Sequence, residues 1–307
     1  METANMMNLE FSRRTFVAGG LASAALAASP KPVAANPADQ PTNPICAFTK
    51  FLDSLSYESL AETIARLGFD GIEATVRPRG QVLPERAEED LPKLVEALQQ
   101  HDLELTLMTT SVSRADQPAD EKLLRLAAGL GVKRYRMGYY TYDLDRPIKP
   151  QWESLRSVVR ELAAMNGEIG IQGLYQNHAG SRYVGATVWD FWSLIDEIPV
   201  EQIGFAFDIR HAMVEAGLAW PVVQNLVEPH LGAICVKDYV WENGRAAHVP
   251  LGQGRVDPRF VHRLHEMPFH GPYSLHVEHL PRAGVQPNID ALGQDLAVLR
   301  QWLAAGS

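Results

Sequence analysis

The chain has 307 residues, of which 46% are hydrophobic and 21% are charged, and its formal net charge is -9. This balance is typical of a globular protein. The negative charge argues against nucleic acid or an anionic membrane as a partner, since both select a basic surface, but it leaves a small neutral ligand open.

The first residues predict an export signal rather than a part of the fold. The arginine pair Arg13-Arg14 precedes an apolar run of mainly small residues over 17–28. A basic stretch before a short apolar run is typical of a signal peptide, and the paired arginines indicate the twin-arginine type. The run is too short to cross ~30 Å of hydrocarbon, which argues against a membrane anchor. We expect a signal over 1–28, a disordered spacer over 29–44, and a periplasmic or otherwise exported protein.

From residue 45 onward, short β-branched runs alternate with longer amphipathic stretches, which predicts alternating strands and helices. The predicted strands are Ile45–Thr49, Gly71–Val76, Leu103–Thr109, Val132–Gly138, Ile169–Gln176, Ile203–Asp208, Leu231–Lys237 and Tyr273–Glu278. The helices that follow them in turn are Tyr57–Leu67, Glu89–His101, Asp120–Leu130, Gln151–Met165, Val188–Ile195, Trp220–Leu226, Pro258–Glu266 and Ile289–Ala304. No later segment is long and apolar enough to predict a membrane span.

Eight strand–helix units over about 260 residues predict an α/β fold, a single (β/α)8 TIM barrel. A doubly wound open sheet is the alternative, but it usually carries a glycine-rich phosphate loop after its first strand. Here the first predicted strand continues into Thr49-Lys50-Phe51-Leu52, without glycine. We therefore expect one barrel over 45–307, with Cys46 and Cys235 as buried free thiols.

The polar residues concentrate at the ends of predicted strands five to eight. These ends carry Gln176, His178, Asp208, Lys237, His276 and Glu278. Side chains alternate along a strand, so Gln176 and His178 share a face, as do His276 and Glu278. Active sites of such barrels form at the C-terminal ends of the strands, and burying polar groups without a task is costly. The sequence therefore places the site there.

Several short motifs lie in a defined order along the chain. They are Leu67-Gly68-Phe69-Asp70-Gly71-Ile72-Glu73, Tyr175-Gln176-Asn177-His178-Ala179-Gly180, Asp208-x-x-His211, Val236-Lys237-Asp238, Pro250-Leu251-Gly252-Gln253-Gly254 and Gly271-Pro272-Tyr273-Ser274-Leu275-His276-Val277-Glu278. Together they resemble the xylose isomerase-like barrel superfamily of sugar (phosphate) isomerases and epimerases. The resemblance covers essentially the whole chain after the signal. It implies the barrel fold, an isomerase- or epimerase-type enzyme and a small carbohydrate substrate.

The same resemblance implies a divalent metal held by Glu, Asp, His and Glu from strands five to eight. Those positions hold Gln176, Asp208, Cys235 and His276 in this chain. Two interpretations remain open. In the first, His178, Asp208 and His276 form a rearranged site for Mn²⁺, Zn²⁺ or Mg²⁺. In the second, no metal is bound, and Lys237 with the histidines supplies the positive charge.

The resemblance also implies a shared chemical step, removal of a proton beside a carbonyl with stabilisation of the enediolate oxygen. This step needs a base and a cation close to each other. The base is predicted to be Glu278, His178 or His276. The cation is predicted to be Lys237 or a metal.

Further residues of the predicted site are expected to contact the substrate. They are Glu73, Gln176, Arg210, His211, Trp241 and His248. For Glu73 the alternative is an ion pair with Arg77 or Arg79, and for Arg210 it is a role in holding a loop. Trp241 offers a flat apolar ring, which suits the C–H face of a sugar.

Three functions remain open from the sequence. The first is a sugar isomerase or epimerase, and the second is a lyase that removes the same proton from a 3-keto-glycoside and expels the neighbouring glycosidic oxygen. The third is a non-catalytic carbohydrate-binding barrel. Export, the altered metal positions and the lack of an obvious phosphate-binding cluster favour free sugars or glycosides over phosphosugars. The acidic charge argues against a nuclease, and the oligomeric state is left open.

Overall fold

The computed structural model describes residues 43–305, so the predicted signal and nearly all of the predicted spacer lie outside the described residues. The strands of the described part are β1 (Ile45–Phe48), β2 (Gly71–Thr75), β3 (Glu104–Thr109), β4 (Arg134–Arg136), β5 (Gln172–Gln176), β6 (Ile203–Asp208), β7 (Leu231–Val236), β8 (Asp238–Glu242), β9 (Arg245–Val249) and β10 (Tyr273–Leu275). All but β8 and β9 form a closed barrel in the order β1-β10-β7-β6-β5-β4-β3-β2, and its neighbouring strands are parallel. The predicted single (β/α)8 barrel is confirmed.

Helices surround the barrel. They are α1 (Tyr57–Leu67), α2 (Ala87–Gln99), α3 (Pro118–Gly129), α4 (Ile148–Ile169), α5 (Trp189–Ile195), α6 (Ile209–Ala216), α7 (Trp220–Val227), α8 (Arg259–His265) and α9 (Val285–Ala305). Local signals set their ends, as in α1, where the Ser56 hydroxyl accepts from the Ser59 amide and Gly68 ends the helix at a φ of 86°. None of the described helices is both long and apolar enough to cross a membrane.

The fifth strand begins later than the sequence predicts. Helix α4 continues through Ile169, where the prediction starts the strand, and it ends at Gly170 with a φ of 78°. The buried Asn166 holds this last turn, because its amide donates to the Gln202 carbonyl and accepts from the Tyr135 hydroxyl. Apolar runs alone do not separate a helix end from a strand start, which explains the error.

The strands β8 and β9 form an antiparallel hairpin that the sequence analysis missed. Its turn is Asn243-Gly244, with φ angles of 50° and 74°, and Asn-Gly is the common signal for such a turn. The buried Asp238 carboxylate accepts from the amides of Gly252, Gly254 and Val256. These bonds fold the segment after the hairpin back onto the end of β7.

The core has two parts. The larger part lies between the sheet and the helices, and a small apolar layer fills the inside of the barrel. That inner layer consists of Leu107, Leu174, Ala206, Ala233 and Cys235. Cys46 and Cys235 are both buried and free, as predicted. Polar side chains lie inside the barrel as well and lead towards the C-terminal ends of the strands, here called the mouth.

Candidate active site

A lysine lies between two carboxylates at the mouth. Lys237 follows β7, and its Nζ donates to Glu278 Oε2 at 2.8 Å and lies 3.0 Å from Asp208 Oδ2. Gln176 at the end of β5 donates its amide to the same Asp208 oxygen at 2.7 Å. We call these four residues the lysine cluster. Three of them are almost fully buried, whereas the Glu278 side chain is 17% exposed and so faces the mouth.

The charges of the lysine cluster stabilise one another. Burial alone would lower the pKa of Lys237, but Asp208 and Glu278 outweigh it and raise this pKa above its usual range. Burial would raise the pKa of each carboxyl, but Lys237 and His276, together with hydrogen bonds, depress both pKa values. At neutral pH the cluster therefore holds one ammonium and two carboxylates.

The two oxygens of Glu278 differ in their surroundings. Its Oε2 accepts the hydrogen bond from Lys237, and His248 Nε2 lies 3.9 Å from the same oxygen. Its Oε1 accepts no hydrogen bond from residues 43–305, and Lys50 Nζ lies 3.9 Å from it. Lys237 thus holds one oxygen in place and leaves the lone pairs of the other free to accept a proton.

A second cluster surrounds Glu73 on β2, inside the barrel. The carboxylate is fully buried, and Arg136 Nη1 of β4 lies 3.0 Å from its Oε1. Thr109 donates to Oε1, Ser274 donates to Oε2 at 2.5 Å, and His276 Nε2 donates to Oε2 at 3.0 Å. Burial would raise the pKa of Glu73, but Arg136 and His276 outweigh it and hold this pKa at about 2. We call these five residues the glutamate cluster.

The glutamate cluster corrects one expectation about Glu73. Its ion pair is formed with Arg136, and not with Arg77 or Arg79. Its buried carboxylate accepts hydrogen bonds from Thr109, Ser274 and His276, and its contact with a sugar hydroxyl stays a prediction. The cluster also contains His276, which the sequence analysis placed with Asp208 and His178.

His178 and His211 pack against each other, with ring centroids 4.1 Å apart. Burial lowers the pKa of both, so both are neutral at pH 7. His178 Nδ1 donates to the Ala179 carbonyl at 2.9 Å, which leaves its Nε2 as an acceptor. His211 Nδ1 accepts from Arg210 at 2.9 Å, so its proton lies on Nε2, 3.6 Å from Asp208 Oδ2.

The remaining predicted contacts lie at or under the hairpin. Arg210 donates to the Ala246 carbonyl at 2.8 Å and lies 5.6 Å from the Tyr239 ring centroid, so it holds the hairpin as the alternative interpretation expects. Trp241 is exposed and contacts Tyr239 edge to face, and it belongs to neither cluster. His248 lies beside Glu278, and burial together with Arg210 lowers its pKa to about 4.

Two cavities open at the mouth and share Arg77. One of about 380 Å³ is lined by Lys50, Arg77 and Arg79 among others, and one of about 390 Å³ by Arg77, Arg136 and Tyr139 among others. Lys50 and Arg136 were not predicted from the sequence as site residues, and Arg77 was expected only as a partner of Glu73. Each lies in or within two residues of a barrel strand, so applying the strand-end rule to strands one to four would have found them.

The lysine cluster does not fit a divalent metal. An ammonium already occupies the space between Asp208 and Glu278 that a cation would need. Asp208 accepts only, so Gln176 must present its amide nitrogen to it, and nitrogen of a neutral amide is not a metal ligand. The ligand atoms of His178, Asp208 and His276 do not form a group within 4.8 Å in the described part of the chain.

The glutamate cluster does not fit a metal either. Glu73, Cys235 and His276 have potential ligand atoms within 4.8 Å of one another. However, the Arg136 guanidinium already neutralises Glu73, and Thr109, Ser274 and His276 donate hydrogen bonds to its two oxygens. Burial also raises the pKa of the Cys235 thiol well above its usual range, whereas metals bind the thiolate. The residues of neither cluster therefore fit a divalent metal.

This result predicts how the protein responds to metal ions. Wild-type protein is expected to show no change in melting temperature with Mn²⁺, Mg²⁺ or Zn²⁺, since Lys237 blocks the carboxylates. The double variant Gln176→Glu/Lys237→Ala supplies a third carboxylate and removes the ammonium, so Mn²⁺ should stabilise it. Differential scanning fluorimetry with and without EDTA measures both. Stoichiometric metal in wild-type protein purified without chelators would contradict the conclusion that neither cluster fits a divalent metal.

Comparisons with known proteins agree with this architecture. A family model described as the xylose isomerase-like TIM barrel matches residues 61–302. A sequence search of curated proteins finds no significant match.

Three solved structures illustrate the similarity of fold. The probable 3-DHS dehydratase AsbF of Bacillus anthracis has a TM-score of 0.64 at 15% identity, covering 83% of this chain and 98% of that chain. D-Psicose 3-epimerase of Clostridium cellulolyticum, solved with D-tagatose, has a TM-score of 0.64 at 14% identity, covering 85% and 99%. A xylose isomerase-like protein of Mycobacterium smegmatis, solved with magnesium, has a TM-score of 0.58 at 15% identity, covering 87% and 98%. At these identities the likeness establishes the fold alone.

Proposed function

Because the chain belongs to the xylose isomerase-like TIM-barrel family, we propose that it is a sugar isomerase or epimerase that removes a proton from the carbon beside a carbonyl. The observation that carries this proposal is the arrangement of Glu278 and Lys237. A carboxylate oxygen free of hydrogen bonds within the described residues lies next to a buried ammonium, and both are at the mouth. Enolisation needs this pairing of a base with a cation.

Glu278 Oε1 is the proposed base. The carboxyl is ionised at neutral pH, because Lys237, His276 and His248 together outweigh burial and depress its pKa. Its partial exposure lets a substrate C–H bond reach the oxygen. Binding of a sugar excludes water from Oε1, and a desolvated carboxylate is a stronger base than a hydrated one.

Lys237 is the proposed partner of the enolate oxygen. An ammonium has three N–H donors, of which one reaches Glu278 and one faces Asp208. The third can donate to the carbonyl oxygen of the substrate and stabilise the negative charge that grows there in the transition state. Asp208 positions Lys237 without contacting the substrate, since it is fully buried.

The proton must then return to the sugar. Glu278 returns it to the neighbouring carbon in an isomerisation, whereas an epimerisation needs delivery to the opposite face of the same carbon. His178 is the proposed second group, because its ring is neutral and its Nε2 is an acceptor. In an epimerisation Nε2 would take up a proton from solvent and deliver it to the opposite face of the carbon, while Glu278 would release the abstracted proton to solvent. The similarity in fold to a D-psicose 3-epimerase supports a sugar as the substrate class.

Solvent deuterium tests the proposal. Wild-type protein is incubated in D₂O with D-fructose, D-tagatose or p-nitrophenyl 3-keto-β-D-glucopyranoside, and the products are followed by NMR. We expect deuterium at the carbon next to the carbonyl, because the proton on Glu278 exchanges with solvent before it returns. Saturable sugar binding with neither exchange nor cleavage would contradict the proposal and indicate a non-catalytic carbohydrate-binding barrel.

A second candidate function is a lyase on 3-keto-glycosides, and Lys50 favours it. Lys50 Nζ lies 3.9 Å from Glu278 Oε1, and burial lowers its pKa although Glu278 opposes that effect. Glu278 would take the proton from C2, the electron pair would form the C1–C2 double bond, and the glycosidic C1–O bond would break. The departing oxygen would take a proton from Lys50, giving an unsaturated keto sugar and the free aglycone.

Lys50 also separates the two candidates. In a lyase, Lys50→Met should slow cleavage of methyl 3-keto-β-D-glucopyranoside, whose alkoxide needs a proton to leave, by about a hundredfold, since general-acid catalysis contributes of that order, while deuterium exchange at C2 continues. In an isomerase, the Lys50→Met variant should exchange deuterium into the sugar and cleave no glycosidic bond, and the wild type should do the same. The matched control is Lys149→Met, which removes an exposed ammonium from α4.

A further inference from the structure

The cavity of about 380 Å³ carries an excess of positive charge in a chain with a net charge of -9. Its lining includes three cations, Lys50, Arg77 and Arg79, and one acid, the exposed Asp53. Lys50 also lies 3.9 Å from Glu278, so the cavity adjoins the lysine cluster. A ligand can therefore extend from the proposed reaction site into this cavity.

Arg77 is the unusual member of this group. It is half-buried one residue beyond the β-bridge of Val76, yet it forms no ion pair within 4.0 Å and no side-chain hydrogen bond with residues 43–305. Burial lowers its pKa, and the nearby Arg136 lowers it further. Half-burial of an unpaired guanidinium beside a second cation is unfavourable unless an anion compensates it.

Two other arginines at the mouth already have partners. Arg136 pairs with Glu73 at 3.0 Å, and Arg210 donates to the Ala246 carbonyl at 2.8 Å. Arg77 lines both cavities of the mouth and so faces the space in which a substrate would bind. The described protein therefore leaves the guanidinium of Arg77, with its five donors, to a ligand.

The turn that carries these arginines is held in place. Arg79 has a φ of 62°, a backbone conformation that residues other than glycine rarely adopt. The Gly80 amide donates to the Arg77 carbonyl at 2.8 Å, and a Cβ on Gly80 would lie 2.6 Å from the Thr75 carbonyl. The Gln81 side chain stabilises the turn, because its Oε1 accepts a hydrogen bond from the Thr49 hydroxyl at 2.7 Å. A tightly bonded turn with a strained residue is common at ligand sites, where it fixes the direction of side chains.

We propose that Arg77, with Lys50 and Arg79, binds an anionic oxygen group of the substrate, a carboxylate or a phosphate. The proposal rests on the proposed function, because it assigns this anion to the sugar whose carbonyl lies at Lys237. A guanidinium matches either group through two parallel hydrogen bonds. The substrate class is therefore an acidic sugar rather than a neutral one.

Binding measured without turnover tests this proposal. Isothermal titration calorimetry compares D-glucose, D-glucuronate and D-glucose 6-phosphate, the two anions distinguishing a carboxylate from a phosphate. We expect at least one anion to bind about tenfold or more tightly than D-glucose, as charge-assisted hydrogen bonds contribute on this scale. Arg77→Gln should abolish the preference. Arg66→Gln, which removes an exposed guanidinium from α1, should retain it.

The outcomes separate this proposal from the proposed function. Equal affinity for the three sugars, or an anion preference that survives in Arg77→Gln, would overturn the anion site whatever the deuterium experiment shows. A preference that depends on Arg77, together with no deuterium exchange into the neutral sugars or into the two anionic sugars, would overturn the proposed reaction alone. Melting temperatures of both variants are expected to match the wild type, since neither arginine has a protein partner in the described residues.

Discussion

Lys237→Met is expected to reduce deuterium exchange or cleavage of the reacting sugar by about a thousandfold, since removal of one preorganised donor to an oxyanion costs about this much in kcat. The ammonium is the cation next to Glu278 Oε2 at 2.8 Å. The loss should appear in kcat more than in KM, because the oxygen carries its charge only in the transition state. Initial rates at saturating sugar measure it.

The fold of this variant needs its own control. Without Lys237, the buried Asp208 faces Glu278 as a like charge, and breaking a buried pair costs about 3–5 kcal/mol. The double variant Asp208→Asn/Lys237→Met removes one of the two charges at constant shape and should regain stability without regaining activity. Lys149→Met should behave as wild type. A folded Lys237→Met variant with exchange within about tenfold of wild type would be incompatible with the role of Lys237.

Glu73→Gln is expected to lower the free energy of unfolding by about 3–5 kcal/mol, because it leaves the buried Arg136 guanidinium without its counter-charge. An amide also presents two N–H groups to a site where every neighbour is a donor. For a domain of this size the loss corresponds to a fall in melting temperature of about 10 °C. Glu104→Gln, at the exposed start of β3, is the matched control and should change little.

The effect of Glu73→Gln should depend on pH with a defined sign. The pKa of Glu73 is about 2 in the folded protein, below the value of about 4.3 in an unfolded chain. A depressed carboxyl pKa contributes stability that is complete above the unfolded value and is lost as the pH falls towards the folded value. The difference in melting temperature between wild type and variant should therefore shrink from pH 5 to pH 2. A melting-temperature difference that stays constant from pH 5 to pH 2 would show that Glu73→Gln destabilises the fold through steric misfit and not through loss of charge.

Much of the fold follows from the sequence alone. The alternation of short β-branched runs with amphipathic stretches identified eight strand–helix units, because the inner and outer positions of a barrel strand impose different polarity. The errors lie where that signal is absent, as at Ile169, which extends α4 rather than starting β5. Helix α6 and the hairpin β8–β9 were missed, since each lies between a predicted strand and the helix predicted to follow it.

The site was located from the sequence, but its arrangement was not. Strand order predicted that Gln176, Asp208 and Lys237 would meet, because β5, β6 and β7 are neighbours. Contacts between residues on strands that are not neighbours in the barrel were not predictable in this way. The anion-binding group at Arg77 also escaped notice, since Lys50 and Arg79 follow different strands and converge only at the mouth.

The sequence by itself thus determined the fold class, the end of the barrel that carries the site, and the residues at the ends of strands five to eight. The tertiary structure alone decided which of them act together. Closure of the barrel pairs β10 with β1 and brings His276 to Glu73, 203 residues earlier in the chain. It equally places the Lys237 ammonium between Asp208 and Glu278. Such contacts depend on three-dimensional closure and side-chain direction, and neither leaves a local pattern in the sequence.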